Sequence, residues 1–250
     1  MRRALTILLG LCLSLPAAAA ERAAPPMGPG CGAPNEFLQS PPLRATATGI
    51  ATGRLRILAV GSASVAGPGV SAPAAAWPAR LEALLRERRP DLDLRMEVRG
   101  GRGSTAADQL RLIEDAMRAG GIDLVIWQAG MTEAVRGLPI EDLGAALVQG
   151  LERLSMRGVD TVVMGIQFSR FLRANAEVDP YRDALRMLAA TGGGAFFSRY
   201  DVMKAWAEAG TVDVERTPRE RRTAEIDRLN DCLARALGAF IRDGVEEARR

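Results

Sequence analysis

The chain has 250 residues, with 33 lysines and arginines, 30 aspartates and glutamates, no histidine, and a formal net charge of +3. Without histidine there is no Ser-His-Asp mechanism and no histidine-ligated metal. So small a positive excess also argues against nucleic acid or an anionic membrane surface as a partner.

The first twenty residues read as a secretory signal. Arg2 and Arg3 form a basic start, Ala4 to Leu15 an apolar stretch, and Ala18-Ala19-Ala20 a small-residue cleavage site. The apolar run is short for a bilayer span. Cys12 follows Leu11, where a lipidated signal calls for a small residue. The mature protein is therefore expected to be secreted or periplasmic, with no membrane span after cleavage. Removing Arg2 and Arg3 brings its side-chain charge close to neutral.

Two cysteines, Cys31 and Cys232, lie beyond the signal. An even pair in an oxidising compartment reads as a disulfide, here between an N-terminal arm and the last helix; two unpaired thiols are the alternative. Residues 21–53 are rich in Pro, Gly and Ala without a sustained period, and read as an extended arm. Residues 54–250 read as one domain.

From Arg54 onward, strand and helix signals alternate. Leu55 to Val60 is a short apolar run ending at Gly61, a buried strand by length. Pro78 opens a helix with Leu81, Leu84 and Leu85 on one face. Leu92 to Val98 alternates like a strand and stops at Gly100-Gly101. Thr105 and Asp108 form a capping box ahead of a helix that turns Leu110, Ile113 and Met117 inward. Ile122 to Trp127 is a third strand. Leu143, Leu147, Leu151 and Leu154 mark a long helix behind Pro139. Val159 to Ile166 and Gly194 to Phe197 complete the strands, and Ile226, Leu229, Leu233 and Leu237 line a final helix whose inner face includes Cys232. This alternation predicts a single doubly wound α/β domain, with helices on both faces of a parallel sheet. Ligands of such sheets bind beyond the carboxyl ends of the strands, here after Val60, Val98 and Trp127.

The first of these ends, Ile57-Leu58-Ala59-Val60-Gly61-Ser62-Ala63-Ser64-Val65-Ala66-Gly67, resembles the opening block of the SGNH or GDSL hydrolases. In that family a strand runs into a turn that carries the nucleophilic serine. Val98-Arg99-Gly100-Gly101-Arg102-Gly103 and Trp127-Gln128-Ala129-Gly130-Met131-Thr132 match the second and third blocks in order and context. The spacing and the cysteine pair are most similar to an esterase-like, exported bacterial branch with a G-S-S-S turn, over residues 54 to about 241. The resemblance implies a flavodoxin-like three-layer fold. It also implies roles for matched positions: nucleophile at Ala63, oxyanion donors at Gly103 and Thr132, and, aligning ungapped on Cys232, the aspartate and histidine of the last block at Arg221 and Ala224. Of these, only Gly103 keeps the residue the family uses. The resemblance therefore implies a serine ester hydrolase fold whose catalytic set is degenerate, with the former crevice left for a small-molecule, glycan or lipid ligand.

A register-shifted nucleophile is the competing expectation: Ser62 or Ser64, with Glu133 as a carboxylate base, in an esterase acting on acylated carbohydrate or lipid. Against it, both serines suit capping or backbone bonding within their turn, and Glu133 reads as a solvated loop carboxylate. Lys204, the only lysine, reads as a helix-surface residue. Gly101-Arg102-Gly103-Ser104-Thr105-Ala106 fits a dinucleotide fingerprint, but the acidic residue at the right spacing, Asp123, begins its strand instead of ending it. Bare N–H groups with Arg102 there suit an anion. With no P-loop lysine motif and no cysteine-pair zinc site, neither cofactor nor metal is expected. Nothing in the sequence specifies an oligomeric state.

Overall fold

The computed structural model describes residues 31–250; the signal-segment reading of residues 1–20 lies outside them. The elements in chain order are α1 (Arg44–Ala51), β1 (Arg54–Gly61), α2 (Trp77–Arg88), β2 (Asp93–Gly100), α3 (Ala106–Ala119), β3 (Leu124–Gln128), α4 (Met131–Arg136), α5 (Ile140–Met156), β4 (Asp160–Met164), α6 (Arg170–Asn175), α7 (Asp179–Thr191), β5 (Ala195–Phe197), α8 (Arg199–Glu208) and α9 (Arg222–Glu247). The strands form one wholly parallel sheet in the order β2-β1-β3-β4-β5. The expected doubly wound α/β domain is what the chain builds.

Strand periodicity sorts the core into two layers. Leu55, Ile57 and Ala59 of β1 face one side with Leu124 and Ile126 of β3, and pack against Trp77 and Leu81 of α2 and Leu237 and Phe240 of α9. Leu58, Val60, Val125 and Trp127 face the other side, against Ile113 of α3, Leu147 of α5 and Leu185 of α7. Side chains on a strand alternate faces, so a one-residue slip would exchange these sets; burial on both sides therefore fixes the register. Trp127 is fully buried, and its indole N–H donates to Gln109 at 2.8 Å. It is a packing residue, as is the buried Trp206.

The capping box forms: the Asp108 N–H donates to Thr105 Oγ1, and the Asp108 carboxylate accepts the Thr105 N–H at 3.0 Å. Those bonds from Thr105 hold the Asp108 carboxyl below its usual range.

Of the arm expected over residues 21–53, residues 21–30 lie outside the described residues, and 31–53 are not extended throughout. Residues 44–51 fold as α1, which local propensity does not announce. It has no side-chain N-cap of its own. Instead Asp160, at the start of β4, accepts both the Thr46 N–H and its hydroxyl at 2.8 Å, satisfying a first-turn donor from across the sheet. Leu43 and Ala47 are buried beneath it. The segment before α1 is sewn to α9 by Leu43 N–H to Gly244 O at 2.8 Å and Ser40 N–H to Asp243 at 2.8 Å. A disulfide joins Cys31 to Cys232 on α9, with Cα atoms 5.4 Å apart.

The β1–β2 pairing depends on one glycine. Gly100 has φ +116°, and a Cβ there would lie 1.9 Å from the carbonyl oxygen of Gly61. Both partners are backbone, so neither gives way. Gly100→Ala is expected to destabilise the protein by about 3 kcal/mol or more, combining backbone strain with overpacking. Urea unfolding of the variant checks this.

Candidate functional site

The switch in strand order falls between β1 and β3, so their carboxyl ends open the crevice where ligands of such sheets bind. Gly61 pairs with Gly100 on one side and Gln128 on the other. The chain leaves β1 through Ser62 into a single 3-10 turn over Ala63–Ala66, stopped by Gly67 in the left-handed region. Gly101 N–H donates to Gly61 O at 3.2 Å, keeping the loop after β2 against this turn.

The side chain of Gln128 organises the turn. Its Oε1 accepts the Ser62 N–H at 3.2 Å, the Ser62 hydroxyl at 3.3 Å and the Ser64 hydroxyl at 2.8 Å. Because a backbone N–H must meet an acceptor, the amide orientation follows from these contacts. Gly61 makes the crossing passable: a Cβ there would lie 2.7 Å from Gln128 Oε1. A cation completes the cluster. Arg199, the first residue of α8 beyond β5, donates to Ser64 Oγ at 3.1 Å and to Gln167 Oε1, beyond β4, at 3.2 Å. It is 4% exposed. Burial lowers its pKa to about 10, so it remains a cation at neutral pH. It forms no ion pair among the described residues. Residues from the carboxyl ends of β3 and β5 thus meet the Ser64 hydroxyl beyond β1, and the end of β4 joins them through Arg199.

Each residue singled out from sequence has a definite place. Ala63, at the position matched to the family's nucleophile, is the first residue of the turn and offers only a methyl group. Ser62 and Ser64 do not cap their turn: Ser62 is its N-cap residue but makes no side-chain cap bond, and both hydroxyls go to Gln128. Glu133 is neither solvated nor in a loop. It is 2% exposed on α4, and its Oε1 accepts the Ala106 N–H at 2.5 Å. A carboxylate is favourable at that helix start, and among the described residues no hydrogen bond joins Glu133 to either serine. Together with Thr105, Asp142 and Gln149 it lines a separate cleft of about 640 Å³ beside α3. Thr132 is buried on α4. Arg102 and Gly103 are exposed, Gly103 with φ +79°. No hydrogen bond or ion pair among the described residues joins Arg102, Gly103 or Thr132 to the serine cluster. Arg221 and Ala224 are exposed at the start of α9. Lys204 lies on α8, where it pairs with Glu208 at 3.7 Å.

Sequence reasoning missed Gln128, Gln167 and Arg199. Their common signal is position: each ends, or lies a few residues beyond, the carboxyl end of a strand. The chemistry of the cluster is that of a neutral amide and a buried guanidinium around two hydroxyls. It contains donors and a positive charge, but no group that accepts a proton from a serine at neutral pH.

A three-layer parallel sheet with a Gly-Ser-x-Ser turn at its switch point defines an SGNH/GDSL hydrolase-like fold. Residues 30–247 match the model of the non-GDSL lipase-like family, and the chain belongs to that family. Among solved structures it is similar to an acetyl xylan esterase from Geobacillus stearothermophilus, at 16% identity and a TM-score of 0.57, covering 74% of this chain and 94% of that one. It is also similar to the psychrotrophic esterase EstA from Pseudoalteromonas sp., at 15% identity and TM-score 0.52 over 73% and 98% of the two chains. The SGNH-hydrolase family esterase AlinE4 is 24% identical, with TM-score 0.52 over 74% and 97%. No curated protein sequence matches the chain. Among the described residues no helix is long and apolar enough to cross a membrane.

Proposed function

We propose that this chain is an exported, catalytically degenerate member of its family that holds a small-molecule, glycan or lipid ligand in the crevice where its relatives do acyl chemistry. The observation that carries this reading is the environment of Ser62 and Ser64. Both hydroxyls donate to the Gln128 amide oxygen, which cannot take their protons, and Ser64 accepts from a cation. The position between them is Ala63, and the sequence holds no histidine. A serine nucleophile without a base is a poor one. Export is supported by the basic, apolar and small-residue order of residues 2–20 and by the disulfide, which suits an oxidising compartment.

The experiment is a titration with a short acyl ester, methyl butyrate, followed by backbone amide NMR and by product analysis. Shifts confined to Ser62–Val65 and their neighbours, with no acid released above the protein-free rate, are expected. Acid release that disappears in Ser62→Ala or Ser64→Ala overturns the reading in favour of an esterase with a displaced serine.

A further inference from the structure

The serine cluster contains more donors than acceptors. A guanidinium carries five N–H groups and a primary amide two. Arg199 uses one on Ser64 and one on Gln167, while its Nε–H is buried without a partner. Gln128 Nε2 is likewise buried and unpartnered. On the acceptor side, Gln128 Oε1 already takes three bonds, from Ser62 N–H, Ser62 Oγ and Ser64 Oγ. Gln167 Oε1 and Ser64 Oγ each receive Arg199. The nearby carboxylate on the same helix, Asp201, is engaged by Arg182 and Arg186 at 3.3 and 3.4 Å and by Ser198. A buried cation whose donors lack acceptors is strongly unfavourable unless an anion compensates it. Ala63, Ser64 and Gln167 are half-buried, so the cluster meets solvent on their side.

We propose that the crevice is a receptor for a carboxylate, held by Arg199 and the Gln128 amide above Ala63. This rests on the ligand-binding reading above and names the class of ligand. One uncompensated cation calls for one negative charge, which a carboxylate supplies and a doubly charged sulfate or phosphate exceeds. The planar fork of the guanidinium, with its adjacent Nε–H free, matches the two oxygens of a carboxylate. Ala63 presents only a methyl group to that ligand, so the acid is held without being acylated onto the protein.

The test is thermal melting and backbone amide NMR of the full chain in fixed background chloride at pH 7, with butyrate, butyramide, methyl butyrate and sulfate as probes. Butyrate is expected to raise the melting temperature with the logarithm of its concentration, by about 5 to 10 °C at one hundred times its Kd, and to shift the amides of Ser62–Val65 saturably. Butyramide should bind at least tenfold more weakly, and sulfate should not compete. Arg199→Met should abolish the butyrate response. Gln128→Glu, which places an anion inside the cluster, should do the same, and serves if Arg199→Met fails to fold. A butyrate response that persists in either folded variant overturns the proposal, as does equal binding of sulfate. Shifts with methyl butyrate but none with butyrate would sink the carboxylate and leave the ligand-binding reading standing. Silence with every probe would sink both.

Discussion

Ester hydrolysis by this protein is expected to fall about 10⁶-fold below that of an intact serine hydrolase, and Ala63→Ser is expected to leave it there. The substitution would return a hydroxyl to the matched nucleophile position, but a hydroxyl attacks only as its proton leaves. The candidate acceptors fail for stated reasons. No histidine exists anywhere in the chain. Glu133 gives Oε1 to the Ala106 N–H at the start of α3, and among the described residues no hydrogen bond joins its other oxygen to Ser62 or Ser64. Gln128 is neutral and already accepts three bonds, and Arg199 is a cation. What remains is binding and whatever oxyanion donors survive, on the order of 10³- to 10⁴-fold over water. Steady-state hydrolysis of a chromogenic acetyl ester by the parent and Ala63→Ser checks this. Recovery of more than about a hundredfold in Ala63→Ser would mean that a base has been overlooked.

Loss of the Cys31–Cys232 bridge is the second large effect expected, on the order of 4 to 5 kcal/mol of stability. The bridge closes 201 residues of chain, and long loops lose the most entropy when closed in the unfolded state. It also anchors the segment before α1 to α9. Trp206 Nε1 donates to Gly32 O at 2.5 Å beside the bridge, so releasing Cys31 loosens a packed edge of the core as well as a tether. The double variant Cys31→Ala with Cys232→Ala, or reduction of the parent, should lower the melting temperature by about 10 °C. A melting temperature indifferent to reductant would mean the bridge contributes nothing.

The fold was legible in the sequence because its strands carry their own signal. Continuous apolar runs such as Leu124 to Trp127, bounded by glycine, have few readings other than a strand buried on both faces. Helix α1 was not legible. A first-turn donor, the Thr46 N–H, is met by Asp160, more than a hundred residues later in the chain, and no local pattern encodes that. The site divides along the same line. The turn from Gly61 to Gly67 and the alanine at the position matched to the family's nucleophile are local features, readable from one segment. The cluster around the two serines is made by Gln128, which meets both, by Arg199, which meets Ser64, and by Gln167, which meets Arg199, all brought in from other strands. Glu133 shows the converse: read locally it is an exposed acid, and only the approach of α3 turns it into a buried brace. Attention to every strand's carboxyl end, beyond the three that carry family blocks, would have brought Arg199 into view.

Whether this crevice still performs acyl chemistry is decided by labelling the intact protein with a fluorophosphonate, followed by mass spectrometry. The predicted result is no covalent adduct at high probe concentration, because neither Ser62 nor Ser64 has a base to deprotonate it. A stoichiometric adduct on either serine would instead establish an esterase with a displaced nucleophile.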